Sequence, residues 1–439
     1  MRIKKVFEGL VRMQKLPDYE KVLLITLQLP HEDEREVEES LDELARLADT
    51  AGARVVGRVV QRARRPDPAT FLGRGKVRDE IAPACRELGV DLVICDHELS
   101  PAQVRNLEEE LGVRVIDRTQ LILDIFARRA RTREGRLQVE LAQLEYLYPR
   151  LAGKGTGLSR LGGGIGTRGP GETKLETDRR RIKRRITDLR RELDEVRRHR
   201  TLLRTRRQDV PLTLVSLVGY TNAGKSTLLN ALTGAGVPAE DRLFATLDPT
   251  TRRLVLPNNE VVLLTDTVGF IRRLPHHLVA AFRATLEEVT EADLLLHVVD
   301  VSNPDYPDQV KAVDDVLASL GAGEKPAILV FNKVDRLTAE EPWLLPSGRP
   351  AVAVSALTGQ GLDELRRLIM EVLRDQRVRR EFLVPYQRGD VLNLLYEKGE
   401  VLSREYTPEG VRLEVELGAV WASRAAARLG KDNPGRISG

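Results

Sequence analysis

Residues 212 to 226 read LTLVSLVGYTNAGKS, and this stretch decides the fold of the central part of the chain. An apolar strand runs into Gly219, a short loop follows, and Gly224-Lys225-Ser226 opens a helix that continues as TLLNALTG. Glycine at both ends lets successive backbone N–H groups wrap a phosphate, Lys225 reaches the β and γ oxygens, and the Ser226 hydroxyl ligates Mg²⁺. In its strand-to-helix context the pattern predicts a P-loop and hence a nucleotide site.

Apolar strands alternate with helical segments beyond the P-loop. The strands are predicted within VVLLTDTV (261–268), LLLHVVDV (294–301), AILVFNKVD (327–335) and AVAVSAL (351–357). This alternation predicts an α/β fold with a doubly wound, mainly parallel sheet over residues 209–375.

The motif Asp266-Thr-Val-Gly269 comes directly after the strand VVLLT. At the carboxyl end of a strand, Asp266 can hold the Mg²⁺ shell, and the Gly269 N–H can contact the γ-phosphate, as Walker B and second-switch residues do. Ras-like enzymes place a water-orienting glutamine after that glycine, whereas this chain has Phe270. Slow intrinsic hydrolysis is therefore predicted.

Base selection is predicted from Asn332-Lys333-Val334-Asp335, which follows the strand AILVF. A carboxylate can accept hydrogen bonds from both N1–H and the exocyclic amine of guanine, and adenine offers no such pair of donors. Ser355-Ala356-Leu357 follows AVAV and is expected to offer a backbone N–H to the guanine O6.

The first switch must supply a threonine to Mg²⁺ from between the P-loop and Asp266. The stretch 244–251, FATLDPTT, offers Thr246, Thr250 and Thr251. We choose Thr246 because FATLD resembles the switch of the Obg-like GTPases.

These motifs together predict an enzyme that hydrolyses GTP with Mg²⁺ as cofactor. The residues expected to contact GTP or GDP are Gly219, Tyr220, Thr221, Asn222, Ala223, Gly224, Lys225, Ser226, Thr227, Phe244, Ala245, Thr246, Leu247, Asp248, Asp266, Thr267, Val268, Gly269, Asn332, Lys333, Val334, Asp335, Ser355, Ala356 and Leu357. Ser226 and Thr246 are expected to bind the metal directly and Asp266 to lie in its shell. Catalytic roles are expected for Lys225 and Gly269.

Strand and helix alternation also marks residues 1–126, which predicts a small α/β domain with a parallel sheet. In residues 127–208 the apolar residues recur at alternating spacings of three and four. This repeat predicts an antiparallel coiled-coil hairpin whose tip loop is 152–173. The second helix, from about residue 176 to 207, would be roughly 45 Å long. Residues 376–439 predict a small α+β domain of unreadable function.

Charge is concentrated on the hairpin. The whole chain has a net charge of +4, but residues 128–207 carry 24 Arg and Lys against 10 Asp and Glu, a net charge of +14. The tip loop is rich in glycine, which lets backbone approach a ligand, and Arg160, Arg168 and Lys174 supply phosphate-directed charge. A polyanionic partner is predicted, with a solvated helix and a flexible connector as the alternatives.

The remaining composition is that of a soluble globular protein. Two cysteines, Cys85 and Cys95, are too few for a disulfide scaffold and indicate a reducing, cytoplasmic setting. The basic N-terminus lacks the apolar core of a secretory signal, and no apolar run approaches the ~20 residues of a membrane span. We expect a monomer.

The motifs GYTNAGKST, FATLDPTTRR, DTVGF and NKVD, together with GGGIGTRGPGETKLETDRRRI and FLGRGK, resemble the HflX family of ribosome-associated GTPases, among the TrmE-Era-Obg-like enzymes. The resemblance covers about residues 20–375, and the glycine-rich element is its family-specific part. It implies a cytosolic protein that binds the large (50S) ribosomal subunit, including its 23S RNA, and separates or rescues stalled 70S ribosomes under stress. Asn222 matches the asparagine with which TrmE-like enzymes bind K⁺, which implies a catalytic role for Asn222 and K⁺ as a second cofactor.

Two other functions fit the same residues. A GTPase of subunit assembly or RNA modification is the weaker alternative because no KH-type GXXG domain is evident at the C-terminus. A non-ribosomal signalling or scaffold GTPase would show paired charge along its coiled coil, whereas this hairpin is lopsidedly basic. The element Gly73-Arg-Gly75-Lys76 is either a second phosphate contact or a loop-to-helix junction, and no second nucleotide is predicted there.

Overall fold

The computed structural model describes residues 19–151, 174–207, 213–236, 242–272, 283–337, 348–375, 377–429 and 436–437. The predicted tip loop, with Arg160 and Arg168, lies outside these residues, and Lys174 begins the second hairpin helix. None of the helices in the described ranges combines the length and apolar character that a membrane crossing requires. Cys85 and Cys95 are buried free thiols.

The N-terminal part is a four-stranded parallel sheet in the order β2-β1-β3-β4. Its elements are β1 (Glu20–Gln28), α1 (Glu34–Thr50), β2 (Ala53–Arg62), a helical turn (Arg74–Lys76), a π-helical turn (Val77–Ile81), α2 (Ala82–Leu88), β3 (Leu92–Cys95), α3 (Pro101–Leu111), β4 (Arg114–Asp117) and α4 (Arg118–Arg129). Alternate residues of β1 enter opposite cores, Val22 with α1 and α4, and Leu23 with α2 and α3. The predicted strand and helix alternation is confirmed.

Capping residues start two of these helices. Asp33 accepts from the first turn of α1 while the Glu36 side chain returns to the Asp33 backbone, and Ser100 with Gln103 does the same at α3. Such capping boxes satisfy N–H groups that have no partner within the helix. The element at 73–76 begins the helical stretch that leads into α2, where Lys76 pairs with Glu80 at 2.7 Å.

The hairpin helices are α5 (Arg133–Arg150) and α6 (Lys174–Arg207). Successive residues of α5 contact earlier and earlier residues of α6. The pairs are Arg133 with Glu192, Glu140 with Arg185, and the Tyr148 ring with Arg179. The residues of the seam between them recur at the predicted spacings of three and four, and they are Leu137, Leu141, Leu144, Tyr148, Ile182, Ile186, Leu189 and Leu193. The two helices therefore pack antiparallel.

The central sheet has the order β10-β9-β8-β5-β7-β6. Its elements are β5 (Leu214–Gly219), α7 (Lys225–Thr233), β6 (Thr250–Val255), β7 (Val261–Asp266), α8 (Arg283–Glu291), β8 (Leu294–Asp300), α9 (Tyr306–Ser319), β9 (Ala327–Asn332), β10 (Ala351–Ala353) and α10 (Leu362–Asp375). All pairings are parallel except that of β6 with β7. The fold class is as predicted, and β6 is an edge strand that sequence analysis missed.

One apolar cluster joins the N-terminal and central sheets. It includes Leu44 of α1, Phe126 of α4, Phe244 and Val289 of α8. The Phe126 and Phe244 rings meet edge to face with centroids 4.7 Å apart. The N-terminal part and α4 therefore pack directly against the segment that follows the P-loop helix.

The C-terminal sheet is antiparallel, in the order β12-β13-β11-β14. Its elements are β11 (Arg377–Val384), α11 (Gly389–Lys398), β12 (Gly399–Thr407), β13 (Gly410–Gly418), α12 (Ala419–Leu429) and β14 (Arg436–Ile437). The buried face of β13, with Leu413, Val415 and Leu417, packs against α11 and α12. This is the α+β arrangement that was predicted.

Candidate nucleotide site

The P-loop connects β5 to α7 with a backbone that only glycine fits at two points. Gly219 has φ +149°, and an added Cβ would lie 2.2 Å from the Val298 carbonyl oxygen. Gly224 has φ +93°, and its Cβ would lie 2.3 Å from Nδ2 of Asn332. The loop is therefore held tightly against neighbouring strands, with the N-terminus of α7 at its end, where backbone N–H groups suit an anion.

Lys225 is buried beneath this loop. Its Nζ donates to the carbonyl oxygens of Gly219, at 3.1 Å, and Tyr220, at 2.8 Å. Burial lowers the pKa of Lys225 to about 8, and the nearby Asp266 carboxylate partly opposes that shift. A phosphate beside Nζ would supply the negative charge that favours the ammonium form.

Three oxygen donors converge beside Lys225. Ser226 Oγ lies 2.8 Å from Thr246 Oγ1, and the two hydroxyls donate to Asp266 Oδ2 at 2.6 and 3.0 Å. Asp266 Oδ1 is buried with no hydrogen-bond partner, and burial raises the pKa of this carboxyl, against the effect of Lys225. Hydroxyl and carboxylate oxygens with an unsatisfied buried lone pair suit a hard cation such as Mg²⁺.

Of the three candidate switch threonines, Thr246 is the one whose hydroxyl is hydrogen-bonded to both Ser226 and Asp266. Thr250 and Thr251 lie in β6, where the Thr251 hydroxyl bonds to that of Thr265 at 2.9 Å. Thr246 is the residue at the convergence point. No group of three or more His, Cys, Asp or Glu side chains that could hold a metal occurs within the described ranges.

Gly269 places the second-switch backbone directly against the P-loop. An added Cβ would lie 2.7 Å from Thr221 Cα and 3.1 Å from Lys225 Nζ. The Thr221 N–H donates to the Phe270 carbonyl at 2.7 Å, and the Phe270 N–H donates to Gly219 at 3.1 Å. The Phe270 ring is 2% exposed, so its side chain belongs to the core and cannot orient a water.

The base-recognition motifs are tied to the P-loop by hydrogen bonds. Asn332 Nδ2 donates to the Ala223 carbonyl at 2.9 Å, and Asn332 Oδ1 accepts from the Ala356 N–H at 3.0 Å. Lys333, with φ +68°, donates to the Asn222 carbonyl at 2.9 Å. The P-loop after β5 and the segments that follow β9 and β10 therefore form one rigid unit.

Asp335 stands exposed at the rim of this unit. Its Oδ1 accepts from the Ser355 hydroxyl at 2.5 Å. Leu357, the last residue of the same motif, is 77% exposed. The Asp335 carboxylate can accept hydrogen bonds from the edge of a purine base, and an exposed apolar side chain such as that of Leu357 can pack on the face of the base.

The pocket at this junction contains most of the predicted phosphate-side residues. They are Thr221, Asn222, Gly224, Lys225, Ser226, Thr227, Phe244, Ala245, Thr246, Thr267 and Gly269. Arg242 also lines it, and sequence analysis missed this residue. The available signal was its position just before the FATLD switch.

Several predicted contact residues point their side chains elsewhere. Leu247 and Val268 are buried in the apolar core. Tyr220 directs its hydroxyl to Glu43 of α1, and Asp248 binds the backbone at the start of α5. Any contact of these four residues with a nucleotide would therefore be made by their main-chain groups.

The Tyr220 hydroxyl belongs to a buried ionic network that sequence analysis missed. Arg118 of α4 pairs with Glu43 at 2.8 Å and with Asp96 at 2.7 Å, while Arg272 of the second switch pairs with Glu39 at 2.8 Å. Burial raises the pKa of Glu43, opposed by Arg118 and Tyr220. The N-terminal sheet thus contacts both the P-loop and the second switch.

Four family profiles match successive parts of this chain. They are described as GTP-binding GTPase N-terminal (residues 38–127), GTP-binding GTPase Middle Region (129–207), 50S ribosome-binding GTPase (214–333) and HflX C-terminal domain (347–436).

Curated relatives match over nearly the whole length. The GTPase HflX of Caldanaerobacter subterraneus subsp. tengcongensis is 50% identical over 94% of this chain and 95% of its own. The GTPase HflX of Escherichia coli K12 is 45% identical over 91% of this chain and 93% of its own. A crystal structure of a GTP-binding protein from Sulfolobus solfataricus in complex with GDP is 24% identical, with a TM-score of 0.43 over 80% of this chain and 98% of that one.

Proposed function

The chain belongs to the HflX family of GTPases, and from this premise we propose that its GTP form binds the 50S ribosomal subunit and dissociates or rescues stalled 70S ribosomes, with hydrolysis driving release. It is a GTP hydrolase with a 50S ribosome-binding GTPase domain. What we propose in addition is that the protein acts on the 70S ribosome. Since ribosomes work in the cytoplasm, we expect the protein there, as a monomer.

The observation that carries the proposal is the basic hairpin. At 1.5 Å per residue, the 34 residues of α6 span about 50 Å, and α6 pairs with α5 from Arg179 to Glu192. Lys183, Arg184 and Arg191 are exposed on α6 without a carboxylate partner among the described residues. A long, rigid and cationic element suits an RNA-walled cavity, and we propose that it contacts 23S RNA.

The residues of the pocket then take these roles. P-loop N–H groups and Lys225 bind the phosphates, and Asp335 selects guanine. Ser226, Thr246 and Asp266 would hold Mg²⁺, which supplies charge neutralisation at the transferred phosphoryl group when bound. We expect Gly269 to bring its N–H to the γ-phosphate. Asn222 lines the pocket, and we expect its side chain to support K⁺ binding.

We expect intrinsic GTP hydrolysis to be slow, because the buried Phe270 ring occupies the position of the water-orienting glutamine of Ras-like enzymes. With no water-orienting side chain at that position, completion of the site depends on the partner. The 50S subunit would therefore act as both the binding target and the activator of hydrolysis.

The test is the salt dependence of 50S binding. If the tip meets phosphates, replacing Arg160, Arg168 and Lys174 with Ala should lower the slope of log affinity against log salt by about two to three units. The matched control replaces three exposed cations that lie outside the 50S ribosome-binding GTPase domain, Arg367, Arg374 and Arg404, and should leave the slope near that of wild type. Equal slopes for wild type and the tip variant would contradict the proposal.

A further inference from the structure

The carboxylate of Asp248, in the first switch, is bound to the base of the hairpin. It accepts from the backbone N–H groups of Arg131 at 2.8 Å and Thr132 at 2.9 Å, and from the Thr132 hydroxyl at 2.5 Å. Thr132 is the N-cap of α5, and its Oγ1 accepts from the Gly135 N–H at 2.9 Å. Two residues from different parts of the chain therefore cap one helix, where a negative charge is favourable.

The other end of the same switch segment is also fixed. Phe244 has φ +54°, its N–H donates to Thr221 Oγ1 of the P-loop at 2.9 Å, and its ring packs on Phe126 of α4. The metal-facing Thr246 lies between these two anchors. Its position is thus set by the P-loop on one side and by the hairpin base on the other.

We propose that Asp248 is a positioning residue that couples Thr246 to the hairpin. This inference rests on the proposed function, because it supplies the route by which 50S binding stimulates hydrolysis. The two helices are held together by both guanidinium bonds of Arg185 to Glu140 at 2.8 Å. A displacement of α5 reaches Thr246 through two peptide units. By thermodynamic reciprocity, the nucleotide at Thr246 biases the orientation of the hairpin in turn.

Gly135 offers a substitution at the contact between Asp248 and the N-cap of α5. An added Cβ would lie 2.4 Å from Asp248 Oδ1 and 3.1 Å from Thr132 Oγ1. Gly135 lies in the first turn of α5 with ordinary helical backbone, and Ala is a better helix former than Gly. Gly135→Ala should displace the carboxylate while α5 persists, which amide hydrogen exchange along α5 verifies. The matched control is Gly389→Ala in the first turn of α11, where an added Cβ meets nothing within 4 Å.

The first readout is GTP turnover with and without 50S subunits. For Gly135→Ala we expect 50S affinity and the rate without 50S within about twofold of wild type, and stimulation by 50S reduced about tenfold. Thr132→Ser keeps the hydroxyl and should retain stimulation, whereas Thr132→Val should lose it. Stimulation equal to wild type in both Gly135→Ala and Thr132→Val would overturn the proposal.

The second readout needs no ribosome and separates this inference from the proposed function. Amide hydrogen exchange of residues 131–136 is compared with GDP and with a non-hydrolysable GTP analogue. We expect protection to depend on the nucleotide in wild type and Gly389→Ala, and to be independent of it in Gly135→Ala. Nucleotide-independent protection in wild type would overturn the coupling, whereas absence of 50S binding by wild type would overturn the proposed function alone.

Discussion

The Tyr220 hydroxyl donates to the carboxylate of Glu43, lying 2.7 Å from Oε2 and 2.9 Å from Oε1. The same hydroxyl accepts from the Arg272 N–H at 2.8 Å. One oxygen atom thus joins the P-loop, the second switch and helix α1 of the N-terminal sheet. The N-terminal part is therefore bonded both to the P-loop and to the second switch.

Removing this hydroxyl should cost folding stability. Tyr220→Phe leaves Glu43 and the Arg272 N–H each short of a partner in a buried place, so we expect a loss of about 1–3 kcal/mol in urea unfolding. In a double-mutant cycle with Glu43→Gln the losses should not add. Tyr406→Phe, at a tyrosine that is 65% exposed, is the control. Additive losses would show that the two side chains are not coupled.

Stability should depend on pH through Asp124 of α4. Burial raises the pKa of this carboxyl to about 6, opposed by Arg128 and Arg114. Between about pH 4 and 6 the folded state holds a proton that the unfolded chain has released, so stability falls as pH rises through this window.

Asp124→Asn removes that cost. The variant should be more stable than wild type near neutral pH by roughly 1–3 kcal/mol, and the difference should vanish below about pH 4. Urea unfolding across this range measures it, with Asp49→Asn at an exposed site of α1 as control. A variant less stable than wild type at pH 7 would contradict the assignment.

Guanine selection should reverse at Asp335. In Asp335→Asn the side-chain amide no longer accepts twice from guanine, so GTP affinity should fall about a hundredfold while xanthosine nucleotides gain. Competition binding measures both, and Asp363→Asn, at a side chain that is 85% exposed on α10, is the control. If wild type bound ATP as tightly as GTP, the assignment of this motif would be wrong.

Hydrolysis should respond to the monovalent cation. Asn222 lines the pocket with φ +62°, and we expect turnover about tenfold faster in K⁺ than in Na⁺ because K⁺ supplies charge near the phosphates. Asn222→Gly tolerates the same backbone and removes the side chain, so it should abolish the difference. Equal wild-type rates in the two salts would exclude the cation role and leave GTP hydrolysis intact.

The sequence predicted the central sheet well because apolar strands and glycine-flanked motifs are local signals. It missed β6, since Thr250 to Val255 carries Arg252 and Arg253 in an exposed edge strand and has no apolar alternation. It could not predict that Thr132 meets Asp248, 116 residues away, or that Glu43 meets Tyr220, 177 residues away. Such pairs result from the packing of separate sheets against each other, which the spacing of residues along the chain does not predict.

Whether the GTP form dissociates 70S ribosomes is tested by sedimentation of the protein with 30S, 50S and 70S particles in sucrose gradients. With a non-hydrolysable GTP analogue, the protein should travel with 50S subunits, and the 70S peak should fall as free subunits rise. With GDP, or after deletion of residues 162–171, the 70S peak should remain. Equal binding with GDP and the analogue, or 70S particles left intact by the GTP form, would contradict it.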